Sequence, residues 1–85
     1  MKENNRRLGF VGIIIEKKEE SAQAVNQILH EFSDYIIART GIPHAKGKVS
    51  VITIVVDVTT DELGLLSGRL GNIPGVSVKS GLAKI

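Results

Sequence analysis

Two runs of β-branched residues, Leu8–Ile15 and Val49–Val58, are each followed by a segment whose apolar residues recur at helical spacing, and this pairing limits the folds open to the chain. Leu8–Ile15 is too short and, with Gly9 and Gly12, too poor in helix formers to be helical, so it reads as a strand. Beyond the charged Glu16–Glu20, residues Ala22, Val25, Ile28, Leu29 and Phe32 fall three and four apart, with Gln23, Asn26, Gln27, His30 and Glu31 on the opposite side. That is an amphipathic helix, its start marked by Glu19 and Glu20 at the positive end of the dipole and its stop by Ser33-Asp34. Tyr35–Thr40 resumes a strand-like composition, Gly41–Lys48 reads as a loop, and Val49–Val58 is the longest strand. Thr59 and Glu62 have the spacing of a capping box, so a second helix starts there. Leu63, Leu66 and Leu70 line one of its faces, and Gly71 stands where a left-handed stop is expected. Asn72–Gly75 turns the chain into a last strand, Val76–Leu82.

The order is β-α-β-β-α-β. Right-handed crossovers leave essentially one compact arrangement for it: an α+β, ferredoxin-like sandwich with a four-stranded antiparallel sheet and both helices on one face. Residues 7–85 form that single domain, and residues 1–6, polar and charged, are expected to be a flexible lead-in. At 85 residues the chain buries only roughly 60% of its unfolded surface, so one core gives thin stability.

A sheet covered on one face should alternate apolar and polar residues. These strands do not. In Val49–Val58, Ile52, Ile54, Val56 and Val58 form one set, while Val49, Val51, Thr53, Val55 and Asp57 form the other; in the first strand Leu8, Phe10 and Ile14 oppose Val11, Ile13 and Ile15. Apolar faces of this kind mark interfaces, and burying 400 Å² of one would contribute on the order of 10 kcal/mol before association costs. A homo-oligomer, a dimer or tetramer joined through Phe10, Val49, Val51 and Val55, is therefore expected.

Several function classes drop out by composition. There is no cysteine, which removes disulfides, thiolate metal sites and cysteine nucleophiles; no metal site and no cofactor are expected. The formal charge of +2, from 11 basic and 9 acidic residues, is too small and too interspersed to point to a polyanion. No apolar stretch approaches the roughly 20 residues needed to span a bilayer, and the opening residues lack the apolar core of a secretory signal, so the expected compartment is the cytoplasm with no membrane partner. No serine sits in a nucleophile elbow, and the acidic pairs Glu19/Glu20 and Asp61/Glu62 stand where helix starts favour negative charge, so the chain does not read as an enzyme. RNA-recognition domains share the strand order but stack bases on central-strand aromatics, and here Phe10 stands alone. The remaining candidate is Gly41–Lys48 with Arg39 beside it, which reads either as a plain basic loop or as a site at a subunit interface where Arg39, His44 and Lys46 bind a small ligand, an anion held by cationic side chains and glycine amides.

Four blocks then resemble a known group. They are Gly9–Glu16, Val25–Glu31, Ile36–Pro43 and Leu66–Lys79, in order along nearly the whole chain. Together they resemble the iron-only hydrogenase system regulators, small proteins associated with hydrogenase maturation genes. The resemblance implies a fold like ACT domains and the carboxy-terminal domain of the nickel-responsive repressor, and a homo-oligomeric sensor or transcriptional regulator that binds a small molecule or a partner protein. The closely spaced histidines and cysteine of a nickel site are absent, and Glu16–Ser21 lacks the turn glycine that ACT domains carry. No helix-turn-helix segment is left over, so direct DNA binding is not expected. The alternative is a structural protein-interaction module without a ligand.

Overall fold

The structure, a computed structural model, describes residues 5–16 and 19–85. The first four residues of the expected lead-in, Lys17 and Lys18 of the charged break, and the side chains of Glu19 and Glu20 lie outside the described residues. The elements are β1 (Arg7–Ile15), α1 (Glu19–Glu31), one 3-10 turn (Ser33–Tyr35), β2 (Ile36–Lys46), β3 (Val49–Val58), α2 (Thr60–Gly71) and β4 (Val76–Leu82). The sheet order is β2-β3-β1-β4 and every neighbouring pair is antiparallel. The fold is the ferredoxin-like α+β sandwich that the order of periodicities implies.

The inward residue sets of the two central strands make the floor of the core. Val11, Ile13, Ile15, Ile52, Ile54, Val56 and Val58 are all buried, beneath Val25, Ile28, Leu29 and Phe32 of α1 and its end and Leu66 and Leu70 of α2. Ser21, also buried, donates from Oγ to the carbonyl of Pro74 at 2.8 Å and so ties the first turn of α1 to the approach to β4. The capping box forms as spaced: the Glu62 amide donates to Thr59 Oγ1 at 3.1 Å, and the Thr59 amide donates to Glu62 Oε1 at 2.9 Å.

Two local expectations are corrected. The stretch 41–46 is strand and not loop: β2 continues to Lys46, and only Gly47 and Lys48 turn the hairpin. Pro43, which cannot donate to a ladder, falls in an irregularity between the pairs Ile42/Val51 and Lys46/Val49, on an edge strand where it costs least. At the end of α2, Gly71 does not take the left-handed conformation; Asn72 follows it in the right-handed region with φ −84°. The positive φ falls instead at Gly75, 78°, where Ile73-Pro74-Gly75-Val76 closes a turn with the Val76 amide on the Ile73 carbonyl at 3.2 Å. Proline second and glycine third is the chemistry of a type II turn, and that turn rather than Gly71 reverses the chain.

Candidate functional site

The edge strand β2 carries the site because of one extra residue. Ile36 pairs with Val56 and Ala38 with Val55, so Ile37 is surplus, a β-bulge. The bulge resets the alternation: Arg39, opposite the buried Ile54, faces the helices, while Ala38, Thr40 and Ile42 face the bare side. On the helix side the Arg39 guanidinium donates through Nη2 to Asn26 Oδ1 of α1 at 2.5 Å. Asn26, His30, Ser33 and Arg39 then rim an open groove of about 460 Å³ between α1 and β2, floored by Leu29 and Ile36.

His44 and Lys46 lie farther along β2. The regular stretch Arg39–Ile42 alone spans roughly 10 Å at about 3.3 Å per residue, and His44 lies beyond it in the irregularity before Lys46, outside the groove lining, so the two sit at separate places. His44 has φ +54°, a region that histidine tolerates better than most residues, and its Nδ1 lies 3.3 Å from the Gly47 carbonyl oxygen. Lys46 pairs with Val49 at the hairpin end.

The bare face of the sheet is built in rows. Ala38, Val55, Phe10 and Gly81 stand side by side across the four strands; Ile42, Val51, Ile14 and Ser77 form a second row; and Thr40, Thr53, Gly12 and Lys79 lie between them. Phe10 is 56% exposed, Ile42 52% and Val55 39%, while Val49 and Val51 are half-buried. The Phe10 ring lies across Gly81, where a Cβ would come within 2.7 Å of its Cζ, so the missing side chain is the ring's seat. Leu8, Phe10, Val55, Leu82 and Ala83 line an apolar depression of about 480 Å³ around that seat.

Two arginines staple the helices. Arg6 reaches Glu62 at 3.1 Å, donates to the Asp57 carbonyl and lies 5.1 Å over the Tyr35 ring, so a residue of the lead-in joins β3 to the start of α2. Arg69 pairs with Glu31 at 2.6 Å and lies 5.7 Å over Phe32, joining α2 to α1. The Arg69 guanidinium, with help from Gln27, holds the Glu31 carboxyl below the usual carboxylate range.

Of the residues the sequence nominated, the groove takes Arg39 alone; its partners Asn26, His30 and Ser33 read in the sequence as an ordinary polar helix face and stop. The spacing of four that puts Asn26 and His30 on one edge of α1 was the available signal; Ser33 follows in the 3-10 turn beyond the helix. Among the described residues, no group of three His, Cys, Asp or Glu side chains is gathered as a metal site would need, and no helix is long and apolar enough to cross a membrane.

Residues 7–80 match the TM1266-like family, described as "Iron-only hydrogenase system regulator, putative". The chain belongs to this family. It is 37% identical to the structure of uncharacterized protein TM1266 from Thermotoga maritima, with a TM-score of 0.88, covering 93% of this chain and 99% of that one. The ACT domain from GTP pyrophosphokinase of Chlorobium tepidum is similar at 22% identity and a TM-score of 0.75, covering 89% of this chain and 99% of that one. The C-terminal domain of the MgtC protein from Mycobacterium tuberculosis is similar at 15% identity and a TM-score of 0.72, covering 94% and 90%. The last two likenesses bear on the fold alone, and the first of them makes the fold of this TM1266-like chain ACT-like. No curated protein matches it.

Proposed function

We propose that this TM1266-like protein is a cytoplasmic regulatory module, not a catalyst, that works as a homo-oligomer assembled through the bare face of its sheet. The observation that carries the reading is Phe10, held more than half exposed on Gly81 and flanked by Val55, with Val49, Val51, Ile14 and Ile42 on the same face. An aromatic ring and aliphatic side chains arranged in rows lose contact with water only when another apolar surface covers them, and a small domain gains stability from that cover. Family membership supports regulation as the output, and ligand sensing through Arg39 is the input, with His44 and Lys46 standing apart from that groove at the far end of β2.

Sedimentation equilibrium at micromolar concentration tests the assembly. The wild-type chain is expected as a dimer or tetramer, and Phe10→Glu, which sets a charge in the centre of the row, as a folded monomer. A wild-type monomer would refute the proposal. A second reading, a partner-protein module with no ligand, is separated by a thermal-shift screen of metabolites, nucleotides and metals, because a ligand that binds only the native state raises the midpoint.

A further inference from the structure

We infer that the groove between α1 and β2 is a binding site for a monocarboxylate with a short aliphatic body and no amino group. This deepens the sensor reading above and rests on it for its regulatory meaning, though not for the binding itself.

Three of the four arginines differ in what they end on; the fourth, Arg7, stands exposed at the start of β1, away from the groove. Arg6 and Arg69 both terminate on carboxylates, Glu62 and Glu31. Arg39 terminates on a neutral amide, Asn26 Oδ1, and no carboxylate pairs with it among the described residues. The amide fixes the guanidinium without neutralising it and uses one of its five N–H donors; the rest form a fork suited to a two-oxygen anion. Because Asn26 Oδ1 is engaged by Arg39, its Nδ2 is left as a donor, and the Ser33 hydroxyl and the His30 ring complete a rim rich in donors.

Three further features narrow the ligand. Leu29 and Ile36 give the groove an aliphatic floor, and its volume of about 460 Å³ is that of a small-molecule site. His30 lies in the last turn of α1 and Ser33 just beyond it, where the helix dipole is negative and works against any anion, a double charge more than a single one. The attraction comes from Arg39, and the dipole sets a carboxylate above a doubly charged phosphate. The rim side chains include no carboxylate to receive an ammonium group, which sets a simple carboxylic acid above its amino-acid counterpart. The bulge at Ile37 makes all this possible by turning Arg39 to the helix side.

The test uses isocaproate as probe, titrated into isotope-labelled full-length protein and followed by amide chemical shifts. Saturable shifts centred on Asn26, His30, Ser33 and Arg39 are expected, with weaker binding of leucine, isocaproamide and inorganic phosphate. Asn26→Asp supplies Arg39 with a carboxylate in place and is expected to abolish the shifts with the fold intact; Arg39→Gln is expected to weaken binding about tenfold or more. Tighter binding of phosphate or leucine, equal binding of the neutral amide, unchanged binding by Asn26→Asp, or no saturable shift at the groove would each overturn the inference. Sedimentation of the same samples reports separately on regulation: binding that leaves assembly unchanged keeps the site and removes its role as the sensor input.

Discussion

Replacing Gly9 by alanine should destabilise the protein, and the same change at Gly12, three residues along β1, should stabilise it. Both glycines lie in one strand, so their intrinsic backbone terms are alike: alanine in place of glycine in a strand interior gains roughly 0.5–1 kcal/mol. Their surroundings differ. A Cβ at Gly9 would lie 2.6 Å from the Gly81 carbonyl oxygen and 2.6 Å from Leu82 Cδ2, whereas one at Gly12 would meet nothing closer than the Lys79 carbonyl oxygen at 3.9 Å. Carbon–oxygen contacts settle near 3.3 Å, so β4 must retreat by roughly 0.7 Å at the Gly9 position. The obstacle there includes backbone, which cannot swing aside as a side-chain tip does. Overpacking of this kind costs about 1–3 kcal/mol, and set against the backbone gain it leaves Gly9→Ala less stable than wild type by about 1 kcal/mol at the centre of the range. For a domain of this size that is a fall in Tm of roughly 4–8 °C. Gly12→Ala should rise by roughly 0.5 kcal/mol. Urea unfolding of the three proteins at two concentrations reads the difference: the change in midpoint with concentration reports self-association, which an alanine at Gly12 on the bare face can itself alter, and the remainder reports the strand. A Gly9→Ala protein as stable as Gly12→Ala would refute the claim that β1 and β4 approach this closely.

Thr59→Ala removes the hydroxyl that receives the Glu62 amide, and the loss of the cap should lower stability by about 1 kcal/mol, seen as a lower urea midpoint with an unchanged slope. The Glu31 carboxyl is held low by Arg69, so its folded value lies below its unfolded one; the stabilisation is complete above the unfolded value and is lost as pH falls through the folded one. The stability gap between wild type and Glu31→Gln is therefore expected to be largest near neutral pH and to close in acid, and a gap that does not change with pH would mean that the helix clamp does not depend on charge.

The element order could be read from the sequence because it depends on burial, and burial imposes a period. Val11, Ile13 and Ile15 alternate because the helices cover one side of them, and Val25, Ile28, Leu29 and Phe32 step by threes and fours because a helix shows the core one stripe. The outer half of β2 could not be read in this way. Thr40–Lys46 is exposed throughout, so no alternation marks it, and glycine, proline and histidine gave it the composition of a loop. The capping box was visible because both of its hydrogen bonds are local. The Arg6 staple was not, since its partners Asp57 and Glu62 stand more than fifty residues away. The groove was half legible. Arg39 stood out beside a basic stretch, but its companions come from α1, and strict alternation from Ile36 would have sent its side chain to the wrong side; the surplus residue at Ile37 that reverses it leaves no trace in composition.

That surplus residue also makes β2 a wall with a different room on each side. Ala38, Thr40 and Ile42 belong to the bare face, and Arg39 and Gly41 to the groove side, threaded alternately on one backbone. Sliding β2 by one position against β3 would not merely loosen either surface. It would exchange them, carrying the arginine's charge into the apolar rows and an alanine or threonine into the rim of the groove, so the phase of a single strand keeps the two surfaces apart.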